Sequence, residues 1–354
     1  MYIYNVHIHT FKEEDVPREF LPLQLVRILS TKIGFKLVAR VLNFLNPFST
    51  DDKMKKYLRF VETGKLGSQE EIFLQCASQY PDTAKFAIHS MDMSAMNAGK
   101  VPRNFLEQFK ELIQLQNKYV DNIYAFVHVE PNNKNYLSIF YEAVELGACG
   151  VKLYPPASCF LPSDSRLDII YKYCEDNDLP IMVHCGAQSP THYHDSKKNL
   201  RKKLDKAGLK WTESMDVTEL CGQFTRPDLY IPVLEKYPKL RICLGHWGSE
   251  IAWEEYVANP LNKENWFYII KDMVQKYPNV YTDISFTLNN EQYFSVLKVY
   301  LQNPKILPQV LFGTDYYMVE TETPEKQFCF NLRGYLGEEL FNIIANINPK
   351  RYLG

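Results

Sequence analysis

Two histidines separated by one residue, His7-Ile8-His9, close the first apolar run of the chain. In an extended strand alternate residues point to one face, so both imidazoles project together at the strand's C-terminal end. Two neutral ring nitrogens placed this way can chelate one cation. The same position recurs along the chain. His184 nearly closes the run Pro180 to Cys185, His246 stands in Leu244-Gly245-His246-Trp247-Gly248, and Asp315 in Phe312-Gly313-Thr314-Asp315. Imidazoles with a carboxylate beside them suit a divalent cation and the activation of water next to it.

The elements that must bring these residues together are short apolar runs alternating with helical segments. The runs are Tyr2–His9, Lys85–Ser90, Ile123–Val129, Cys149–Tyr154, Pro180–Cys185, Leu240–Gly245, Val280–Ile284 and Val310–Gly313. Helical spacing is expected over Arg103–Tyr119, Tyr136–Leu146, Arg166–Asn177, Pro227–Tyr237, Lys263–Tyr277 and Glu291–Gln302. Tyr237-Pro238 and Tyr277-Pro278 are stop signals. Strands alternating with crossover helices give a parallel α/β sheet, and eight such units favour a closed (β/α)8 TIM barrel. No Gly-rich phosphate loop follows the first strand, which removes support for a dinucleotide fold. In a barrel the strand ends open on one mouth, where His7, His9, His184, His246 and Asp315 would meet.

Two stretches exceed the simple repeat, about residues 11–67 after the first strand and about 186–226 after the fifth. Both follow the strand ends that carry active-site loops, so they are expected as helical insertions forming a lid or a homodimer contact. The whole chain, 1–354, is expected to be a single barrel domain. Within Phe20–Thr50, Lys32, Lys36 and Arg40 recur on one helical face amid leucines and valines. That pattern fits either a lid helix with a solvated basic side or a helix lying on a membrane surface.

Composition narrows the function classes. The 354 residues are 46% hydrophobic, enough for a large core, and the formal net charge of −2 leaves no domain-scale basic stripe for nucleic acid. The eight cysteines form no C-x-x-C pair and several lie in apolar runs, as expected of reduced, buried thiols. The N-terminus lacks a signal-peptide pattern and no apolar run is long enough to span a bilayer. A cytoplasmic protein with a small-molecule substrate and no stable membrane insertion is expected.

Taken in order, the motifs resemble those of a known family. His7-Ile8-His9, Gly150-Val151-Lys152-Leu153-Tyr154-Pro155, Val183-His184, Leu244-Gly245-His246-Trp247-Gly248 and Leu311-Phe312-Gly313-Thr314-Asp315-Tyr316 look like successive motifs of the amidohydrolase superfamily. The branch they resemble contains aminocarboxymuconate-semialdehyde decarboxylase and related hydrolases, and the tail Ile347–Gly354 is similar to that branch's ending. The resemblance implies that His7, His9 and His184 bind a divalent metal, zinc first, with manganese or iron as alternatives. It implies that Asp315 is a further ligand or the base, and that His246 polarises the substrate or moves protons. Lys152 stands where two-metal members carry a carboxylated, bridging lysine; the expectation here is one metal and a free amine that contacts substrate. The leading reaction is hydrolysis of a cyclic amide, lactone or ester. The alternative is non-oxidative decarboxylation of an aromatic or unsaturated acid, for which Arg166, Arg226 and Lys152 are the candidate cationic partners. His89, His128, Glu130 and Asp92 are pocket or core candidates, His192 and His194 loop residues, and Cys185 a packing residue facing away from the metal.

Overall fold

The computed structural model describes residues 2–20, 53–187 and 193–354. Eight strands form one parallel sheet in the order of the sequence: β1 (Tyr4–Ile8), β2 (Lys85–His89), β3 (Ile123–His128), β4 (Gly150–Leu153), β5 (Ile181–Gly186), β6 (Ile242–Gly248), β7 (Val280–Asp283) and β8 (Val310–Leu311). The sheet closes on itself. Val6 N donates to Phe312 O at 3.0 Å, Asp315 N donates to His7 O at 2.8 Å, and Ile8 pairs with Tyr316 in a parallel bridge. With helices between the strands this is the (β/α)8 barrel.

The barrel separates two apolar layers. Tyr4, Val6, Ala87, Phe126, Met182, Cys243, Tyr281 and Leu311 fill its interior, joined from below by Tyr352 of the last helix, Asn348–Leu353. The larger cluster lies between strands and surrounding helices and includes Ile8, Ile88, Leu153, Val183 and Leu244. In β1 the register to β2 shifts between Asn5 and Ile8. That irregularity follows the inward-facing Val6 and lets His7 turn inward as well, so the alternation restarts and His9 joins it.

The apolar runs and helical segments expected from the sequence lie where the pattern put them, with shifted ends. β6 extends to Gly248, so His246 lies inside it and not after it. β8 is only Val310–Leu311, which leaves Asp315 on the loop beyond. The helix expected at Pro227 begins as a 3-10 turn, Pro227–Tyr230, and becomes α-helical over Ile231–Lys236.

Of the first insertion, Phe11, Phe20 and Phe60 line the cavity at the barrel mouth, and Tyr317 OH donates to Phe11 O at 2.8 Å. The helix Lys53–Gly64 belongs to this stretch. The basic segment between residues 20 and 50 lies outside the described residues from position 21 onward. The second insertion contributes helices Lys197–Ala207 and Val217–Gly222, whose Leu200, Leu204, Leu220 and Cys221 form a small core with Tyr193 and Phe224. Among the described residues no helix is long and apolar enough to cross a membrane.

Candidate active site

His7, His9 and Asp315 meet at the mouth. Their ligand atoms all lie within 4.8 Å of one another, and all three residues are buried. His9 Nε2 is 3.3 Å and His7 Nε2 3.9 Å from Asp315 Oδ1. The ring partners dictate the tautomers. His9 Nδ1 lies 2.8 Å from the carbonyl of His89, and a carbonyl only accepts, so Nδ1 carries the proton. His7 Nδ1 lies 2.7 Å from Asp283 Oδ2 and donates to it. Both rings therefore turn an unprotonated Nε2 toward Asp315, the arrangement in which a carboxylate or carbonyl behind a histidine prepares it as a ligand. Burial is the main cause that holds the His7 pKa well below its ordinary value, with Lys152, His246 and His9 adding to it, so the ring is neutral at pH 7.

A second ring pair extends the cluster. His246 Nδ1 donates to the carbonyl of Ser285 at 3.0 Å, which leaves Nε2 basic; it lies 3.1 Å from His184 Nδ1. His184 Nδ1 must then be the donor, and its Nε2 is the ring's basic nitrogen. The His184 ring stacks on Tyr154 at 4.1 Å, and burial, then His246 and Lys152, lower its pKa far below the usual value. His184 thus lies against His246 and is not itself within the 4.8 Å group. Lys152 Nζ, also buried, stands 2.9 Å from His7 Nε2. Burial brings its pKa down to about 8 against the opposing pull of Asp315 and Asp283.

Asp283 and Ser285 were not singled out by the sequence, yet they organise both pairs. Asp283 Oδ1 accepts from His246 N at 2.7 Å and from Ser285 Oγ at 2.7 Å, while Oδ2 holds His7. The signal that could have found Asp283 is a fully buried carboxylate ending an otherwise uncharged strand, since such a charge needs partners.

The backbone around the mouth is strained. His246 (φ 66°), Ser249 (φ 74°), Phe286 (φ 59°) and Asp315 (φ 63°) all adopt left-handed conformations that non-glycine residues avoid. Such strain gathers where surrounding structure fixes a functional geometry. Gly313 and Gly245 make room for His7: a Cβ at Gly313 would lie 2.9 Å from His7 Cβ, and one at Gly245 would lie 2.8 Å from Val183 O and 3.4 Å from His7 Cε1.

Above this floor lies a cavity of about 460 Å³, onto which His9, His184, His246 and Asp315 open. The remaining sequence candidates fall elsewhere. His89 donates from Nε2 to Val6 O at 2.9 Å, and His128 Nδ1 accepts from Asp92 N at 2.7 Å. Glu130 is bonded by Ser158 and raised to about 8, chiefly by burial, and Asp92 holds Asn133. None of these four lines the cavity. His194 sits 3.7 Å from Glu19 on the surface, and His192 lies outside the described residues. Cys185 Sγ contacts Thr225 O at 3.4 Å on the outer side of the strand, as alternation requires.

The donor set suits a divalent cation. Two imidazole lone pairs and a carboxylate oxygen converge from rigid elements, and the cavity leaves one side open for water and substrate.

Solved structures similar to this one share its architecture. They include an uncharacterised TIM-barrel protein of Bordetella bronchiseptica (16% identity, TM-score 0.56, covering 100% of this chain and 98% of that one). A second is 5-carboxyvanillate decarboxylase of Novosphingobium aromaticivorans, with manganese bound (16% identity, TM-score 0.57, 99% and 96%). A third is 4-oxalomesaconate hydratase of Rhodopseudomonas palustris (15% identity, TM-score 0.52, 99% and 95%). At these identities the likeness concerns the fold. No curated protein matches the chain significantly. The amidohydrolase family model matches residues 77–354. His7 in β1 and His9 just after it lie before that span, and their contacts with Asp283 and Asp315 tie them to the matched part. The chain belongs to the amidohydrolase family.

Proposed function

We propose that the protein is a metal-dependent hydrolase of a small ester, lactone or cyclic amide. His7, His9, His184 and Asp315 hold one divalent cation, zinc in the first instance, with manganese and iron compatible with the same donors. The observation that carries this reading is the convergence of two correctly protonated imidazoles and Asp315 on the floor of an open cavity, with His246 beside them.

A bound cation supplies Lewis acidity, lowering the pKa of water toward about 7 and polarising a carbonyl. Asp315 opens onto the cavity floor and takes a proton from the attacking water. Asp315 then returns that proton to the leaving atom, while His246, fixed through Nδ1 by Ser285, lines the floor beside it. Lys152 stays a free amine that gives up its contact with His7 Nε2 when a cation takes that lone pair, so the site takes one metal and no carbamate bridge.

Decarboxylation is the less supported reading. It calls for a cation facing the substrate's carboxylate, and two of the candidates are engaged elsewhere. Arg166 is paired with Asp164 and the carbonyl of Pro131, Arg226 with Asp228 and Glu264, and neither lines the cavity. The test is metal analysis followed by assay of the loaded protein on neutral lactones, esters and cyclic amides, with release of carbon dioxide from aromatic acids read in parallel. Hydrolysis with about one ion per chain is expected. Two ions with a carboxylated Lys152, or carbon dioxide release without hydrolysis, would replace the respective part of the proposal.

A further inference from the structure

The cavity walls differ sharply from its floor. The loop after β2 places three methionines, Met91, Met93 and Met96, on one side, and Met318 from the loop after β8 joins them. All three loop methionines are buried. Phe11 and Phe60 complete this apolar surface. The charged residue at the rim is Glu250, held by Asn290 Nδ2 at 2.8 Å from Oε1. No Lys or Arg lines the cavity among the described residues, and Lys152 lies beneath the floor against His7.

A carboxylate held against these walls, away from a cation on the floor, would lose its hydration with no Lys or Arg among the described residues to replace it, and Glu250 would repel it. An uncharged ring loses little on leaving water. It gains contact with thioether sulfur, which is polarisable and packs favourably on aromatic faces, and the flexible methionine side chains adapt to its outline. The volume suits a compact ring system more than an extended chain.

We infer that the substrate is an uncharged molecule whose non-reacting part is an aromatic or similarly apolar ring, held against the Met91–Met93–Met96 wall while its carbonyl meets the floor. This rests on the reading of the His7–His9–Asp315 cluster as the reaction centre and deepens it. The methionines act on binding, and the chemistry stays with the floor.

The test separates binding from turnover. Chroman offers the two-ring body of an aromatic lactone without a carbonyl, and chroman-6-carboxylate adds one charge far from the ring oxygen. Binding of both to the metal-loaded full chain is measured by calorimetry, for wild type, Met93→Ala and the volume-conserving Met93→Leu. Chroman is expected to bind at least about tenfold more tightly than its carboxylate. Met93→Ala should weaken chroman about fivefold while Met93→Leu stays near wild type. No measurable binding of chroman, equal or tighter binding of the carboxylate, or indifference to Met93→Ala overturns the inference. Turnover of dihydrocoumarin, the matching lactone, is read separately. Its absence alongside selective chroman binding counts against hydrolysis and leaves the substrate class standing, whereas turnover without that selectivity does the reverse.

Discussion

Replacing Asp283 with asparagine should disarm His7 without emptying its position. Asp283 is fully buried, with Oδ2 accepting from His7 Nδ1 at 2.7 Å. Oδ1 accepts from His246 N and Ser285 Oγ, both at 2.7 Å, and from Ser285 N at 3.2 Å. In Asp283→Asn the one remaining oxygen goes to the side where three donors converge. The new NH₂ then faces His7 Nδ1, donor against donor. His7 can relieve this by moving its proton to Nε2, the atom that looks toward Asp315. The lone pair for a cation is thereby lost. Removing a partner behind a metal-binding histidine typically weakens metal about 10–100-fold, and the reversed tautomer places this case at the upper limit, near 2.7 kcal/mol. Competition with a chelator of known affinity measures the change, and nitrogen NMR of labelled histidine identifies the tautomer. Asp283→Asn holding metal within about threefold of wild type, with His7 still protonated on Nδ1, would refute the argument.

Three further outcomes are expected. His7→Ala should lose metal and activity together and regain some turnover in excess metal, whereas Asp315→Asn should keep much of its metal and lose about 10²–10⁴-fold in rate; metal content and rate on the same samples decide it. Gly313→Ala forces a Cβ to 2.9 Å from His7 Cβ and 3.3 Å from Asp283 Oδ2, so it should lower stability by about 1–3 kcal/mol in denaturant unfolding and weaken metal binding. Glu325, buried beneath Thr314 and Asn5, is raised to about 8 from an ordinary value of 4.5, mainly by burial. The folded state keeps this proton where the unfolded chain releases it, so the group's stabilising effect is full below about pH 4.5 and is lost as pH rises through about 8. The stability of Glu325→Gln relative to wild type should therefore climb across that window, and a difference that stays flat with pH would contradict the assignment.

The barrel was legible because each strand is an apolar run between helical segments, and burial on both faces leaves that signature even in four-residue strands such as β4. The site candidates drew attention through position: an H-x-H pair at a strand end, and His246 and Asp315 after apolar runs. What the sequence hid depends on distance across the barrel. Asp283 carries no spacing signature, because its partner His7 is 276 positions away. His184 was expected among the ligands, and its contact with His246, 62 positions away, carries no spacing signature either. The methionine loop has no periodicity at all. Its meaning comes from facing Phe11 and Met318, which belong to other loops.

The trio straddles the joint of the barrel. His7 comes from the first strand, His9 from its end and Asp315 from the loop after the last, and the same seam is stitched by Val6 with Phe312 and by Asp315 N with His7 O. A cation bound there would act as a clasp on the longest-range closure in the chain. The pairing of first and last strands is the most expensive in loop entropy and among the slowest to form. Ligand binding stabilises only the closed form, by an amount set by free cation over its dissociation constant. Cation supply would then govern how long the ring stays shut, and chelation should open the protein first at the β1–β8 seam, where amide exchange would quicken before it does on the opposite side of the barrel.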